Sequence, residues 1–523
     1  MIPRSRAGTL WRAFAAAVLV IAATAATTAV AGLLQFKQLA TDLSGQPALK
    51  NANVTLPPPG APQTILAIGS DHRAGEPYRS ANTDTMMLIR LNPNSSTINV
   101  LSIPRDLEVT IPGYAGNYKI NAAYSLGGPN LMIKTIRRNV FPDLKVNHIL
   151  DVNFSGFADL VDAIGCVYSA IDERYYNNTL YTDYSSINIQ PGYQKLCGGN
   201  NAVGNGALAF VRYRHTDSDI VRNARQQDFV RWAKEQYSLG QLVANRDRLL
   251  RIFGDHVQTD NNLHTGDGLE NLFNLVLNAD GLTVKSIPFP AILNNCVAPA
   301  PGQTPPPCYV NANQGAEQQV YKEFMRVTKP SEAKASTTGA ANRSVSPTGG
   351  HHHHSAAGVP SGLTPDPADG QTQAAALKHV PFPVYYPKLI VSGSHYCSAQ
   401  TGNCDDPQQP ASEYAKSYPR SYAIRDRRGH RYSAYYMTLE INPVLGEYYG
   451  VQGTTWMNPP LLDHPSATKV VNGKQLELFA AGGNLMTVAW KTPKAVYWIE
   501  NTLAGTVPNK QMVQIAASLA RAG

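Results

Sequence analysis

Between Arg212 and Gln227 the chain reads Arg-Tyr-Arg-His-Thr-Asp-Ser-Asp-Ile-Val-Arg-Asn-Ala-Arg-Gln-Gln, with four arginines, two aspartates and two glutamines in sixteen residues. A guanidinium is a fixed planar cation whose donors fork onto phosphate or carboxylate oxygens. Four of them just after the apolar run 207–211 suit a multiply charged anion. A solvated helix face laced by intrahelical ion pairs is the competing account of this stretch taken alone.

A second cluster upstream separates the two accounts. The apolar run Thr64-Ile-Leu-Ala-Ile68 gives way to Gly69-Ser70-Asp71, as a buried strand gives way to a site-forming loop. A polar loop with Arg73 and Arg79 leads to Asn82-Thr83-Asp84-Thr85 and the apolar run 86–91. Another strand-like run, 97–104, ends in Arg105-Asp106, and Tyr118-Lys119-Ile-Asn-Ala-Ala-Tyr124 follows. Asp71, Asp84, Arg105, Asp106 and Lys119 thus all stand at the ends of apolar elements. Ligand sites of α/β folds form where loops leave the strand ends. Carboxylates beside arginines make sense where a divalent cation meets a phosphate, and hard oxygen ligands suit Mg²⁺.

These residues resemble the LytR-CpsA-Psr family of envelope phosphotransferases. The resemblance spans about 64–237, with weaker continuity to about 290. It rests on Ile68-Gly-Ser-Asp71, Thr83-Asp-Thr85, Ser102-Ile-Pro-Arg-Asp106, Lys119-Ile-Asn-Ala-Ala-Tyr124, Val161-Asp-Ala-Ile-Gly165, Arg212-Tyr-Arg214 and Arg225-Gln-Gln227. Each motif is weak alone; seven in order are specific. The resemblance implies transfer of a glycopolymer from a polyprenyl-pyrophosphate carrier to a peptidoglycan hydroxyl, leaving a phosphodiester. It implies that Asp71 and Asp84 hold Mg²⁺, or Mn²⁺ in its place. Arg105, Lys119, Arg212, Arg214, Arg222 and Gln226 would clamp the pyrophosphate, with Arg73 and Arg225 as further members. Asp71, Asp84, Arg105 and Arg222 would carry the catalysis. Two positions depart from the family pattern. Many relatives have Arg-Ser-Asp-Thr at 82–85, so an arginine contact is absent here or supplied by Arg79. Many also have Gly before the arginine matching Arg222, where this chain has Val221.

The 523 residues exceed one typical domain, and the 43% hydrophobic content suffices for ordinary cores. A formal charge of +8 suits an anionic partner such as lipid phosphate or wall polymer. No zinc-finger spacing, RNA-binding aromatic motif or continuous basic stripe occurs, so no nucleic-acid partner is expected. Residues 13–36 form an uncharged run of 24, preceded by Arg4, Arg6 and Arg12. That run exceeds the ~20 residues that cross a bilayer. The expectation is a single-pass protein of the cell membrane with a cytoplasmic N-terminus and the bulk of the chain outside. A cleaved signal peptide, with small residues near 29–31, is the alternative. Six cysteines in an exported chain suggest three disulfides, and proximity proposes Cys166–Cys197, Cys296–Cys308 and Cys397–Cys404.

The elements that must position the charges alternate in type, which predicts an α/β fold with a mixed central sheet flanked by helices. Helices are expected over 128–140, 154–164, 202–211, 218–237 and 269–277, and strands over 148–153, 167–171 and 282–287. On the helix capped by Asp217, Arg222, Arg225 and Gln226 share one face. The expected organisation is a tail and transmembrane anchor (1–36), a spacer (37–60), a catalytic domain (61–328), a disordered linker (329–378) containing His351–His354, and a smaller C-terminal α+β domain (379–523). The basic loop 425–431 reads as a turn between two strands, and the terminal helix over 509–521. A polyprenyl tail needs an apolar tunnel, which periodicity cannot separate from a solid core. Two rival functions remain at this level. One is hydrolysis of the lipid pyrophosphate by the same clamp. The other is a non-enzymatic, membrane-anchored protein that grips anionic lipid.

Overall fold

The structure is a computed structural model that describes residues 48–49, 54–72, 78–81, 83–177, 187–199, 206–213, 218–237, 248–249, 252, 255–279, 282–293, 309–329, 359–398, 404 and 416–523. The expected anchor, the histidine tract, Arg73, Asn82, Arg214, Asp217, Cys296 and Cys308 lie outside the described residues. Among the described residues no helix is long and apolar enough to cross a membrane.

In chain order the elements that frame the site are β1 (Gln63–Ser70), β2 (Thr83–Leu91), β3 (Thr97–Ser102), α1 (Ala122–Asn139), β4 (His148–Asn153), α2 (Phe154–Ile164), β5 (Val167–Ile171), β6 (Gly192–Leu196), α3 (Ala207–Arg212), α4 (Asp219–Gln236), β7 (Val257–Thr259), α5 (Gly266–Asn278), β8 (Thr283–Ile287) and α6 (Gln314–Met325). Six strands make one sheet in the order β7-β4-β1-β2-β3-β8. Strand β1 runs antiparallel to β2 and parallel to β4, and β8 runs parallel to β3. The sheet is therefore mixed, with helices on both faces.

Strand alternation explains the two-sided burial. Leu66, Ile68, Met86, Leu88 and Leu101 face Met132, Ile133 and Ile136 of α1. Ile65, Met87, Val100 and Val284 turn the other way, onto Leu275 and Ala279 at α5. Helix α1 begins six residues earlier than periodicity suggested, because a kink at Gly127 and Gly128 joins an extra turn to it. Helix α4 is capped by Ser218, whose side chain accepts from the Val221 N–H, rather than by the expected Asp217. The hairpin β5–β6 is antiparallel and is closed by the Cys166–Cys197 disulfide; Cys397–Cys404 also forms.

The C-terminal part holds α7 (Pro367–Ala376), β9 (His395–Tyr396), β10 (Arg420–Arg425), β11 (Arg431–Asn442), β12 (Glu447–Thr454), β13 (Ala467–Val471), β14 (Lys474–Ala481), β15 (Asn484–Lys491), β16 (Val496–Glu500) and α8 (Asn509–Ala517). Its sheet runs β9-β11-β12-β16-β15-β14-β13, with β10 also on β11. Two expectations are corrected. The stretch 329–378 is not all linker: Asp366 caps α7, Pro367 opens it, and Leu363, Ala374 and Leu377 are buried. The terminal helix stops at Ala517, and Leu519–Arg521 pairs instead with Tyr385–Pro387. The C-terminal sheet also packs on the first half of the chain. Ile424 and Trp498 share a core with Tyr168, Tyr193 and Trp232.

Candidate functional site

Asp84 is aimed by a bulge. Gly69 pairs with Thr85 and Ser70 with Thr83, so Asp84 is the extra residue on β2. The Thr83 hydroxyl closes the bulge, lying 3.1 Å from both the Gly69 and Thr85 carbonyls. The Asp84 carboxylate accepts from Arg105 Nη1 and lies 3.3 Å from Arg212 Nε and 4.0 Å from Arg222 Nη1. Burial pushes its pKa up, but Arg222, Arg105 and Arg212 outweigh that and hold it below the ordinary carboxylate range.

Arg105 and Asp106 leave the end of β3 together. The Asp106 carboxylate lies 2.8 Å from Lys119 Nζ, and its backbone N–H donates to Asp219 Oδ2 at 3.1 Å. Asp219 Oδ1 lies 2.9 Å from Arg222 Nη2 and 3.8 Å from Arg105 Nε. Asp219 thus ties the first turn of α4 to the β3 loop, and it is a site residue that the motif reading missed. Its signal was an acid three residues before Arg222, at helical spacing. Arg222 is 1% exposed, whereas the side chains of Arg105, Lys119 and Arg212 remain 24%, 30% and 26% exposed. The three accessible cations therefore form the open face, with Arg222 and Asp219 as its floor. Arg212 is steadied by the Phe154 ring, 4.0 Å from its guanidinium carbon.

Asp71 is exposed one residue past β1, beside the bulge that carries Asp84. The strand end that carries it is held from beneath. Ser70 Oγ donates to Asp151 Oδ1 at 2.8 Å, and the Tyr124 hydroxyl donates to Asp151 Oδ2. Burial raises the Asp151 pKa against the pull of Tyr124, Ser70 and His72. His72 stacks on Tyr78 at 4.3 Å, and Tyr78 lies against Gly128. Gly128 has φ +65°, and a Cβ there would come within 2.8 Å of the Tyr78 ring, so no other residue suits the kink of α1. Burial, with Asp151 nearby, pushes the Tyr78 hydroxyl up to about 12.

The two clusters expected to meet do meet: Asp84, Arg105 and Lys119 stand with Arg212 and Arg222. Arg225 and Gln226 do not join them. Arg225 is fully buried, donates to the Tyr213 carbonyl at 2.8 Å and lies 4.4 Å over the Tyr175 ring. Gln226 donates to the Val211 carbonyl at 3.0 Å. Both pin the segment that carries Arg212 from behind, because residues three and four positions after Arg222 turn towards α3 rather than the open face. Arg79 is exposed on the short turn Tyr78–Ser80. Asp84 and Asp219 flank Arg105 with hard oxygen donors, and Asp71 stands at the neighbouring strand end. Among the described residues this site holds no three-ligand group of its own. The donor set fits a cation such as Mg²⁺ that completes its shell with phosphate oxygens and water.

Residues 33–297 match the model of the LytR_cpsA_psr family. The chain is 35% identical over 204 residues to a protein of Oceanobacillus iheyensis named polyisoprenyl-teichoic acid–peptidoglycan teichoic acid transferase TagU, covering 38% of this chain and 58% of that protein. It is 29% identical over 255 residues to the protein of the same name from Halalkalibacterium halodurans, covering 46% of this chain and 78% of that one. Among solved structures, B. subtilis TagV aligns with a TM-score of 0.38 and 23% identity, over 51% of this chain and 96% of that one. A structure described as TagT bound to LIIa-WTA aligns with a TM-score of 0.38 and 24% identity, over 53% and 97%. The family match takes in about half the chain and all the charged residues around Asp84, and the C-terminal sheet lies beyond it. On that match the chain belongs to the LytR_cpsA_psr family.

Proposed function

We propose that this protein transfers a glycopolymer from a polyprenyl-pyrophosphate carrier to a hydroxyl of peptidoglycan, leaving a phosphodiester link. It would do so outside the cell, anchored by residues 13–36. The observation that carries the reading is the convergence of Asp84, Arg105 and Lys119 with Arg212 and Arg222, 128 residues apart between Asp84 and Arg212. The transferase names of the relatives agree with it.

Arg105, Lys119 and Arg212 present their exposed donors to the pyrophosphate, and Arg222 backs them from the floor. Their charge opposes the negative charge that builds on the phosphates as the bond breaks. The acceptor oxygen bonds to the sugar-bearing phosphorus, and the bond from that phosphorus to the bridging oxygen breaks. Polyprenyl phosphate leaves with the electron pair. The hydroxyl proton needs a carboxylate. Asp84 is a poor acceptor because three arginines hold its pKa down, and Asp106 is occupied by Lys119. We assign the proton to Asp71, exposed at the end of β1 beside the bulge that carries Asp84. Mg²⁺, with Asp84 among the residues that would hold it, would add charge neutralisation at the phosphate oxygens.

The test is transfer by Arg222→Ala and Asp84→Ala, with a lipid-pyrophosphate sugar donor and a peptidoglycan acceptor. Each variant is expected to lose ~10²–10³-fold in rate. Near-normal transfer by both removes the assignment, and release of phosphorylated glycan at full rate without acceptor replaces it with hydrolysis.

A further inference from the structure

A second cavity lies at the other end of α4. It encloses about 550 Å³ between the last turns of α4, the edge of β8, the turn Pro460–Leu462 and strands β14 and β15. Lys234 lines it and stands twelve residues after Arg222 on the same helix. At 1.5 Å per residue that is ~18 Å from the charged floor of the phosphate site.

The lining has two characters. Tyr237, Leu282, Leu461, Phe479 and Met486 form an apolar and aromatic floor. Around it stand Lys234 and Arg427 as donors, Glu235 and Asp463 as acceptors, and the hydroxyls of Ser466 and Thr487. Arg427 is fixed, with Nη2 donating to the Gln236 carbonyl at 3.3 Å and its guanidinium 4.6 Å over the Tyr237 ring. Arg231 is bound to Asp228 and Glu235, at 3.0 and 3.4 Å, and is closed within the wall. His464, on the rim, is held at φ +59°, a left-handed conformation that non-glycine residues keep at a cost and that clusters at ligand clamps. A smaller cavity of about 20 Å³ shares Arg231, Leu461, Met486 and Thr487 with this one. Trp232 also lines it, and its buried indole N–H has no hydrogen-bond partner among the described residues.

Balanced donors and acceptors around an apolar floor do not suit a polyanion. They suit a ligand whose hydroxyls both donate and accept and whose ring faces carry C–H groups. Ligand pockets combine an apolar lining with a few placed polar groups in this way. We propose that this cleft binds a segment of an oligosaccharide chain, with a sugar ring on Phe479 and hydroxyls on Lys234 and Asp463. The candidate sources, though not the chemistry of the lining, rest on the proposed transfer function. Two sources share the chemistry, the amino-sugar strand of the wall and the hexose backbone of a transferred polymer.

Calorimetric titration of the full chain in detergent tests this with three probes: an N-acetylglucosamine tetramer, an unsubstituted hexose tetramer and a glutamate hexapeptide. Saturable binding of at least one tetramer is expected, and the one that binds identifies the source. Lys234→Ala and the exposed Asp463→Ala should each weaken it about tenfold, the scale of one hydrogen bond to a charged group. Arg222→Ala should leave it unchanged. The proposal is overturned if neither tetramer binds, or if the hexapeptide binds as well as the sugars. It is also overturned if Arg222→Ala abolishes binding that both cleft variants retain. Thermal melting of each variant separates lost binding from lost fold.

Discussion

Arg222 and Arg225 sit three residues apart on α4 in different surroundings. Arg222 faces Asp219 and Asp84, whereas Arg225 is enclosed by Tyr175, Phe210 and Tyr213. Arg225 also opposes the rise that burial gives the Asp172 and Glu173 pKa values. Arg225→Met strips the charge from that enclosure and should cost on the order of 3 kcal/mol, as breaking buried charge pairs does. Chemical denaturation should read the loss. Arg222→Lys keeps the charge but loses the fork, so its melting point should move little while transfer falls ~10²-fold. A stable Arg225→Met variant, or an active Arg222→Lys one, would contradict this division. The family resemblance placed Arg222 in the clamp with Arg225 as a further member, and helical spacing put both on one broad face. It could not tell which edge of that face looks at the site and which at α3. It also passed over Asp151, which supports Ser70 from 81 residues away and carries no local mark of that role.

At the scale of elements, the first turn of α4 meets the turn that precedes β12. Val221 is buried, and a Cβ on Gly446, which has φ +60°, would approach Val221 Cγ1 to 2.5 Å. The Val221 side chain packs against a segment beyond the family match. Gly446→Ala should destabilise by ~1–3 kcal/mol through backbone strain and this contact together. Adding Val221→Ala should restore part of the loss and leave only the strain, which a double-mutant cycle measures directly. Full additivity of the two changes would deny the contact. Elements with a clear apolar period, such as β4 and α2, were legible in the sequence to the residue. The bulge at Asp84, the kink of α1 and the terminal strand Leu519–Arg521 were not, since each is imposed by a partner far along the chain.

Across the whole molecule, the C-terminal sheet meets α4 and the end of β5 over buried carboxylates. Glu500 on β16 accepts from its own strand's Trp498 indole at 2.6 Å and from Tyr436 of β11 at 3.3 Å. Asp172 beyond β5 and Arg231 of α4 also face it. Burial raises its pKa from the ordinary value to about 7, aided by Asp172 and opposed by Trp498, Tyr436 and Arg231. Asp228 on α4 is raised to about 6, again by burial and against its partner Arg231. A carboxyl with a raised folded pKa favours the folded state while it is protonated. The stability it contributes is complete below its unfolded value and is lost as pH rises through the folded one. For Glu500 that window runs from about 4.5 to about 7, and the loss is on the order of 3 kcal/mol. The junction of the C-terminal sheet with α4 is therefore expected to hold best near pH 5 and to loosen towards pH 8. Urea midpoints at pH 5, 6.5 and 8 should fall in that order, and Glu500→Gln, which stays neutral throughout, should flatten most of the slope. A midpoint that climbs with pH, or a variant as pH-sensitive as the parent, would show that these carboxylates do not govern how the two halves are held.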